Sequence, residues 1–266
     1  MSETVSVGTL IRAWRTRRRM SQLDLAGEAD ISQRHLSFIE SGRARPSREM
    51  ILHLSERLDV PFRQRNVLLA AAGFAPSFGE RPLGHPTLAP AMDAVRRVLA
   101  GHMPNPAVAV DRHWNLIVAN EAAAPFLEGI EERSLTEPPV NVLRLSLHPR
   151  GLAPRIVNLA EWRAHLMERL RRLIDATGDL ELEALEAELE TYPSGVTRMP
   201  VVHDEGSAIL HPLRVRVGDQ VLSLISTITV FGTPLDVTLS ELAIESFFPA
   251  DEATRFALQR MAVGRA

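Results

Sequence analysis

ISQRHLSFIESGRARPS, Ile31 to Ser47, is the stretch whose reading decides the fold. Ile31, Leu36 and Ile39 fall along one side of a short helix. Ser32, Gln33, Arg34, His35 and Ser37 crowd its first turn and its other side. A helix that had only to be soluble would carry Glu and Lys there. Ser32 is placed to cap the helix by accepting a bond from an otherwise orphan backbone N–H.

The neighbouring sequence extends the same pattern. Leu10, Ile11 and Trp14 form an apolar stripe before the basic run Arg15, Arg17, Arg18, Arg19. Ser21 caps a second helix containing Leu23, Leu25 and Ala26. Pro46 and Ser47 open a fourth with Met50, Ile51, Leu54 and Leu58, and Pro61 opens a fifth with Phe62, Val67 and Leu68. Five short helices in about 70 residues predict an all-α bundle.

Charge separates this head from the rest of the chain. Residues 1–78 hold 12 Arg against 8 Asp and Glu, whereas the remaining 188 residues hold 18 Arg against 25. A basic head on an acidic body predicts an anionic partner for the head alone. The chain has no Cys, which removes disulfides and thiolate metal sites. No signal pattern and no long uncharged apolar run is found, so a cytoplasmic protein is expected.

FAPSFGERPLGHPTLAP, residues 74–90, carries four Pro and two Gly and reads as a linker. The expected organisation is a head over 1–75, a linker over 76–90 and a second domain over 91–266. In that domain AVAVD (107–111) and NLIVAN (115–120) predict a hairpin. Residues 155–176 and 179–190 predict two helices. Ala208 to Val217 and Val221 to Val230 predict a second hairpin around Gly218-Asp219-Gln220. A strand near 236–244 and a helix near 251–261 complete an α+β domain with an antiparallel sheet.

The Ser/Gln/Arg front of the third helix has the chemistry of a base-reading element. Arg offers two parallel donors to guanine O6 and N7, and Gln bonds adenine N6 and N7 in the same way. SQLDLAGEADISQRHLSFIESGRARPS resembles the helix-turn-helix of Xre and lambda-repressor-like regulators, over roughly residues 6–72. The matched positions are Ser21-Gln22, Leu25-Ala26, Ile31-Ser32, Ile39 to Gly42, and Pro46. The resemblance implies that Gln22 binds phosphate and braces the reading helix. It implies that Ser32, Gln33, Arg34 and Ser37 face bases or adjacent backbone, that Arg43 and Arg45 contact phosphates, and that Glu40 pairs with Arg15. Asp30 stands where the turn often has Gly, and Phe38 where the family is often polar. Phe38 either touches a thymine methyl or packs against a neighbour.

HMPNPAVAVDRHWNLIVANEAAAPFL, NVLRLSLHPR, EWRAHLMERLRRL and HPLRVRVGDQVLSLISTITV together resemble the ligand-binding domain of MmyB-like regulators, over about residues 90–245. The resemblance implies a PAS-like fold, a small sheet with helices over one face, and a fatty-acid-like ligand. Trp114, Asn120, Asn141, Arg144, Trp162, His211 and Pro212 match its pattern. An apolar cavity with one cationic rim group would suit a carboxylate-headed chain, with Arg144, His148, His211 and Arg214 as candidates for that group. Each has a plainer reading: Asn120 as a helix cap, Trp114 and Trp162 as core, Arg144 as a surface ion pair.

Catalysis finds little support. Glu161-x-x-x-His165 and His203-Asp204-Glu205 hold metal-capable residues without a known ligand spacing or a third member. There is no nucleophile elbow and no phosphate-binding Gly loop. The expectation is a cytoplasmic, non-enzymatic regulator without a cofactor or membrane contact. It acts as a homodimer on double-stranded operator DNA and responds to a small apolar or fatty-acid-like ligand. The alternative is that the second domain only dimerises or docks a protein partner.

Overall fold

The computed structural model describes residues 5–193, 212–231 and 236–263. The chain divides into two compact units, one of residues 1–81 with 234–240 and one of residues 82–233 with 241–266.

The first unit is a five-helix bundle: α1 (Val7–Arg17), α2 (Gln22–Glu28), α3 (Gln33–Glu40), α4 (Arg48–Arg57) and α5 (Phe62–Ala71). Its helices start where the serines set them. The hydroxyls of Ser21, Ser32 and Ser47 each accept from the backbone N–H three residues on, at 3.1 Å, and Ser6 does the same for α1 at 3.2 Å. At α2 the Asp24 carboxylate returns the bond to Ser21 N–H, closing a reciprocal cap. Each such cap is worth about 1 kcal/mol. Ile11, Leu25, Leu36, Ile39, Ile51, Leu54 and Leu68 meet in one core, all essentially inaccessible. Asp30 adopts φ +51° in the turn between α2 and α3, a conformation Asp tolerates better than most residues.

Gly8 fixes how close α1 comes to the end of α3. A Cβ there would lie 2.2 Å from the Ile39 carbonyl oxygen and 2.9 Å from that of Glu40. The two backbones touch directly, and only Gly permits it.

In the second unit, α6 (Ala89–Gly101) leads into β1 (Ala107–Val110), β2 (Leu116–Ala119) and the short helix α7 (Ala124–Leu127). α8 (Val142–Leu147), α9 (Leu159–Thr177) and α10 (Leu180–Glu190) follow, then β3 (Leu213–Val217) and β4 (Gln220–Val230). After β4 the chain supplies residues 234–240 to the first unit, where Val237–Ser240 forms α11. β5 (Ala243–Pro249) and α12 (Glu252–Val263) complete the second unit.

Within the first unit, Val237 N–H donates to the Gly79 carbonyl at 2.8 Å. Asp236 pairs with Arg81 at 3.0 Å, and Thr238 Oγ1 donates to the Arg81 carbonyl at 2.7 Å. Asp236 and Val237 are buried there.

The sheet is antiparallel in every pairing, in the order β2-β1-β5-β4-β3. Gly218 at φ +57° opens the two-residue turn between β3 and β4, where hairpin twist requires a left-handed residue. Alternation divides the strands between two cores. Val110, Leu213, Val215, Leu222 and Leu224 face α8, α9 and α10. Ala107, Ala109 and Ile244 face Met92, Val95 and Leu99 of α6 on the other side. Helices therefore cover both faces, and α6 is a helix that the sequence analysis does not anticipate.

The α+β class and the antiparallel hairpins are as expected. The strand expected near 236–244 is displaced: β5 runs from Ala243 to Pro249, and Asp236 instead starts a helical turn by accepting from Thr238 N–H at 2.9 Å. The expected start of the second hairpin at Ala208 lies outside the described residues.

Candidate functional site

The helix-turn-helix face is built around one carboxylate. Glu40, at the end of α3, accepts Arg15 Nε on Oε1 at 2.6 Å and Arg15 Nη2 on Oε2 at 2.9 Å. Gln22 Nε2 of α2 adds a bond to Oε2 at 2.8 Å, and Arg15 Nη1 reaches the Met20 carbonyl at 2.8 Å. α1, α2 and α3 thus share one buried group. Burial pushes the Glu40 carboxyl up, but the Arg15 and Gln22 bonds and the Arg15 charge outweigh this and hold it below the usual carboxylate range. The Glu40 bond in turn raises the Arg15 guanidinium above its ordinary value. The ion pair expected from the sequence is present, and Gln22 braces the network with its amide nitrogen.

Ser32, Gln33 and Arg34 are exposed at the start of α3, and Arg43 and Arg45 are exposed in the loop after it. Ser37 is half-buried. Phe38 lies between the two sets: its ring sits beneath the Arg34 guanidinium at 5.3 Å and the Arg43 guanidinium at 5.9 Å. Such stacking favours a planar cation and restricts its rotamers. Phe38 is therefore a platform for two arginines of this face.

The neighbouring basic run behaves differently. Arg18 folds back onto the bundle, donating to the carbonyls of Leu58 at 2.8 Å and Asp59 at 2.9 Å, with its guanidinium over Trp14. It closes the C-terminal end of α4.

In the second unit an apolar cavity of about 110 Å³ lies between the sheet, α7, α8 and α9. Val108, Leu116, Phe126, Val142, Leu145, Leu152, Leu166, Leu213 and Phe247 contribute to its walls. Its polar lining is small. Trp162 Nε1 donates to Ser146 Oγ at 3.0 Å, and the charged group of the lining is the carboxylate of Glu245 on β5. Glu245 is 5% exposed and takes Arg169 Nη1 on Oε1 at 3.0 Å. Arg169 stands two turns along α9 from Trp162, stacked on the Trp114 ring at 4.1 Å. Trp114 reaches that position from a tight turn, at φ +67°, in which Asp111 Oδ1 accepts from the N–H groups of His113 and Asn115. A second, open groove of about 810 Å³ runs along α12 and the start of β4, lined by Val221, Phe256 and Val263 among others.

The residues singled out from the sequence scatter around this cavity. Trp162 lines it, and Trp114 belongs to the adjoining core. Asn120 binds three backbone groups, Ala107 N–H and the carbonyls of Leu99 and Asn105, clamping β2 to the end of α6 without capping a helix. Asn141 caps α8 through the N–H groups of Leu143 and Arg144. Arg144 forms a forked pair with Glu188 of α10 at 2.8–2.9 Å, and Tyr192 donates to the same carboxylate at 2.5 Å. The Arg144 bond leads in holding Glu188 below its ordinary range. His148 packs edge-on against Tyr192, and Arg214 points outward from β3. None of these last three is among the lining residues. His211 and the His203-Asp204-Glu205 cluster lie outside the described residues. Glu161 takes the Asn158 amide, and His165 stacks on Trp162.

Glu245 and Arg169 are the residues that sequence reading missed, and the stacking of Phe38 under Arg34 and Arg43 is a packing role whose partners it did not name. The signal for Glu245 was a lone acid in the apolar strand AIESFFP, at a position whose neighbours two residues away, Ala243 and Phe247, face the core.

Among the described residues no helix is long and apolar enough to cross a membrane. A search of curated proteins returns no match for the chain. Residues 11–64 match a helix-turn-helix family model, which makes the first unit a DNA-binding module of that kind. Residues 91–261, well over half the chain, match the model of the MmyB-like transcription regulator ligand binding domain. The chain belongs to the family of transcription regulators that carry this MmyB-like domain behind a helix-turn-helix.

Proposed function

We propose that this regulator reads a specific operator through α3 and senses a small apolar or amphipathic molecule, of the fatty-acid-like kind, in the cavity beneath α7, α8 and α9. The observation that carries the reading is the apolar cavity in the domain whose family is named for ligand binding. Helices laid over the sheet on the cavity side fit the PAS-like reading of that domain, whereas α6 on the other side departs from the expected cover of one face alone. Ser32, Gln33, Arg34 and Ser37 supply base and adjacent backbone contacts, Arg43 and Arg45 supply phosphate contacts, and Gln22 braces α3 and adds a phosphate contact. The protein works as a homodimer on a pseudo-palindromic site, in the cytoplasm, without catalysis.

The cavity volume of about 110 Å³ is below the roughly 150 Å³ of an apolar cavity that holds benzene. A long chain therefore needs the helical wall to open. Opening is what gives a ligand different affinities for two states, without which it shifts nothing. Each buried CH₂ adds about 0.8 kcal/mol, so a few methylenes are enough to bias that equilibrium.

The test uses the delipidated full chain and an operator selected from random DNA. Titration with straight-chain amphiphiles should show saturable binding that tightens with chain length, and operator affinity should change alongside. Leu152→Trp, which fills the cavity, should remove both responses while leaving operator binding without ligand intact. Ligand-independent operator binding across the series would leave the second domain as a dimerisation or docking module.

A further inference from the structure

Behind the Glu245 side of the cavity wall stands a guanidinium with one edge in use and one edge free. We infer that Arg169 is the head-group residue of the ligand site and takes a carboxylate on that free edge; this rests on the ligand-sensing reading above.

Trp162, Leu166 and Arg169 follow one another on one face of α9, at helical spacing, and the first two line the cavity. Arg169 itself is not part of the wall but is joined to it, because Nη1 donates to Glu245 Oε1 at 3.0 Å. Its Nε and Nη2 are inaccessible to solvent, and neither has a hydrogen-bond partner among the described residues. The same is true of the indole Nε1 of Trp114, the ring on which the guanidinium stacks at 4.1 Å. A buried donor without an acceptor is costly, so three beside one another call for one. The protein's own ion pairs show which acceptor suits them. Nε and Nη2 form the side-on fork of a guanidinium. Arg15 holds both oxygens of Glu40 on that edge, and Arg144 holds both oxygens of Glu188 on it. Arg169 offers the same fork. A planar anion with two oxygens fills it, whereas a hydroxyl fills half of it. Glu245 on Nη1 and the Trp114 ring already fix the guanidinium plane, so little rotamer freedom is lost on binding. Arg144 is held by Glu188, and Arg155 gives its N–H groups to the carbonyls of Pro125, Phe126, Glu128 and Arg216, so neither competes. The opening of the helical wall that a long chain needs brings its head group to the Arg169 fork. Glu245 opposes the incoming charge and so limits the affinity.

The experiment is calorimetric titration of the delipidated full chain with matched straight-chain carboxylates, alcohols and methyl esters, butyl to decyl, at a pH where the acids are ionised. Carboxylates should bind at least about tenfold tighter than alcohols or esters of equal length, the worth of one charge-assisted hydrogen bond. Arg169→Lys keeps a cation for Glu245 and removes the fork, so it should lose most of that preference while alcohols bind as before. Glu245→Gln, which keeps the shape and removes the charge, should raise carboxylate affinity further. The wild-type comparison stands as a test even if a variant is unstable. Carboxylates binding no tighter than alcohols, or an Arg169→Lys chain that keeps the full preference, would overturn the head-group inference while leaving the ligand cavity in place. Failure of every probe to bind saturably would overturn the cavity reading together with it.

Discussion

Truncating Glu40 to Ala should loosen the DNA-binding unit before it affects any contact with DNA. The Glu40 side chain is 3% exposed and its partner Arg15 is 12% exposed. Removing the carboxylate takes away two charged hydrogen bonds from Arg15 and one from Gln22. It leaves a guanidinium whose remaining bond is to the Met20 carbonyl. Stranding one half of a buried pair costs about 3–5 kcal/mol. The residual exposure of Arg15 and its Met20 bond place the expectation at the lower end, about 3 kcal/mol. Hydrogen exchange of the full chain reads this unit separately from the sensor. Amides of α1 to α3 that exchange through opening of the unit should do so about a hundredfold faster, because each 1.4 kcal/mol is tenfold. Operator affinity should fall as well, because α3 loses its tie to α1 and α2. The sign with pH follows from the depressed Glu40 carboxyl. Its contribution is fully present above the unfolded-state value of about 4.3 and is lost as pH falls through the lower folded value. Unchanged exchange in α1 to α3 with lost operator affinity would refute this reasoning and place Glu40 at the DNA itself.

Arg34→Ala should cost about 1–3 kcal/mol on the operator and relax choice at one base pair, whereas Arg43→Ala should weaken all sequences alike and flatten the salt dependence by about one unit of slope. Equal losses on specific and random DNA from both would undo that division, and binding at graded salt measures it. Gly8→Ala should lower the melting temperature and the operator affinity together, because its methyl meets the Ile39 carbonyl at 2.2 Å; a variant as stable as wild type would show that α1 can shift freely. Arg144→Ala should leave ligand affinity unchanged and cost less than about 1 kcal/mol of stability, since both partners of its ion pair are more than a third exposed. Calorimetry that shows acids binding more weakly to this variant, with matched alcohols unchanged, would bring Arg144 back to the ligand.

Local chemistry made the first unit legible. Ser21, Ser32 and Ser47 mark helix starts because capping is decided within four residues, and the structure places every one where the sequence reading does. The turn at Gly218 was readable for the same reason. α6 was hidden by its own first turn: Pro90 reads as a breaker within a Pro-rich stretch, yet near a helix start its missing N–H costs nothing. β5 was misplaced because Asp236 to Ser240 looks like strand sequence, and only its partners Gly79 and Arg81, more than 150 residues earlier, hold it elsewhere. The cavity posed a similar problem. Arg144 looked available because nothing in NVLRLSLHPR shows Glu188, 44 residues away, which occupies it. Glu245 passed unremarked because its partner Arg169 lies 76 residues earlier on another element.

The first unit is also discontinuous in the chain, and this sets an order of manufacture. Arg81 and Asp236, which pair within it, are separated by 155 positions. At a synthesis rate of about 5–20 residues per second, roughly 8–30 seconds pass between the making of the one and of the other. During that interval the five helices exist without their last piece, while α6 through β4 are being made. A chain broken off anywhere before Asp236 leaves the ribosome with an unfilled place beside Gly79 and Arg81. The DNA-binding unit is thus completed only by a ribosome that has already made four of the sensor's five strands.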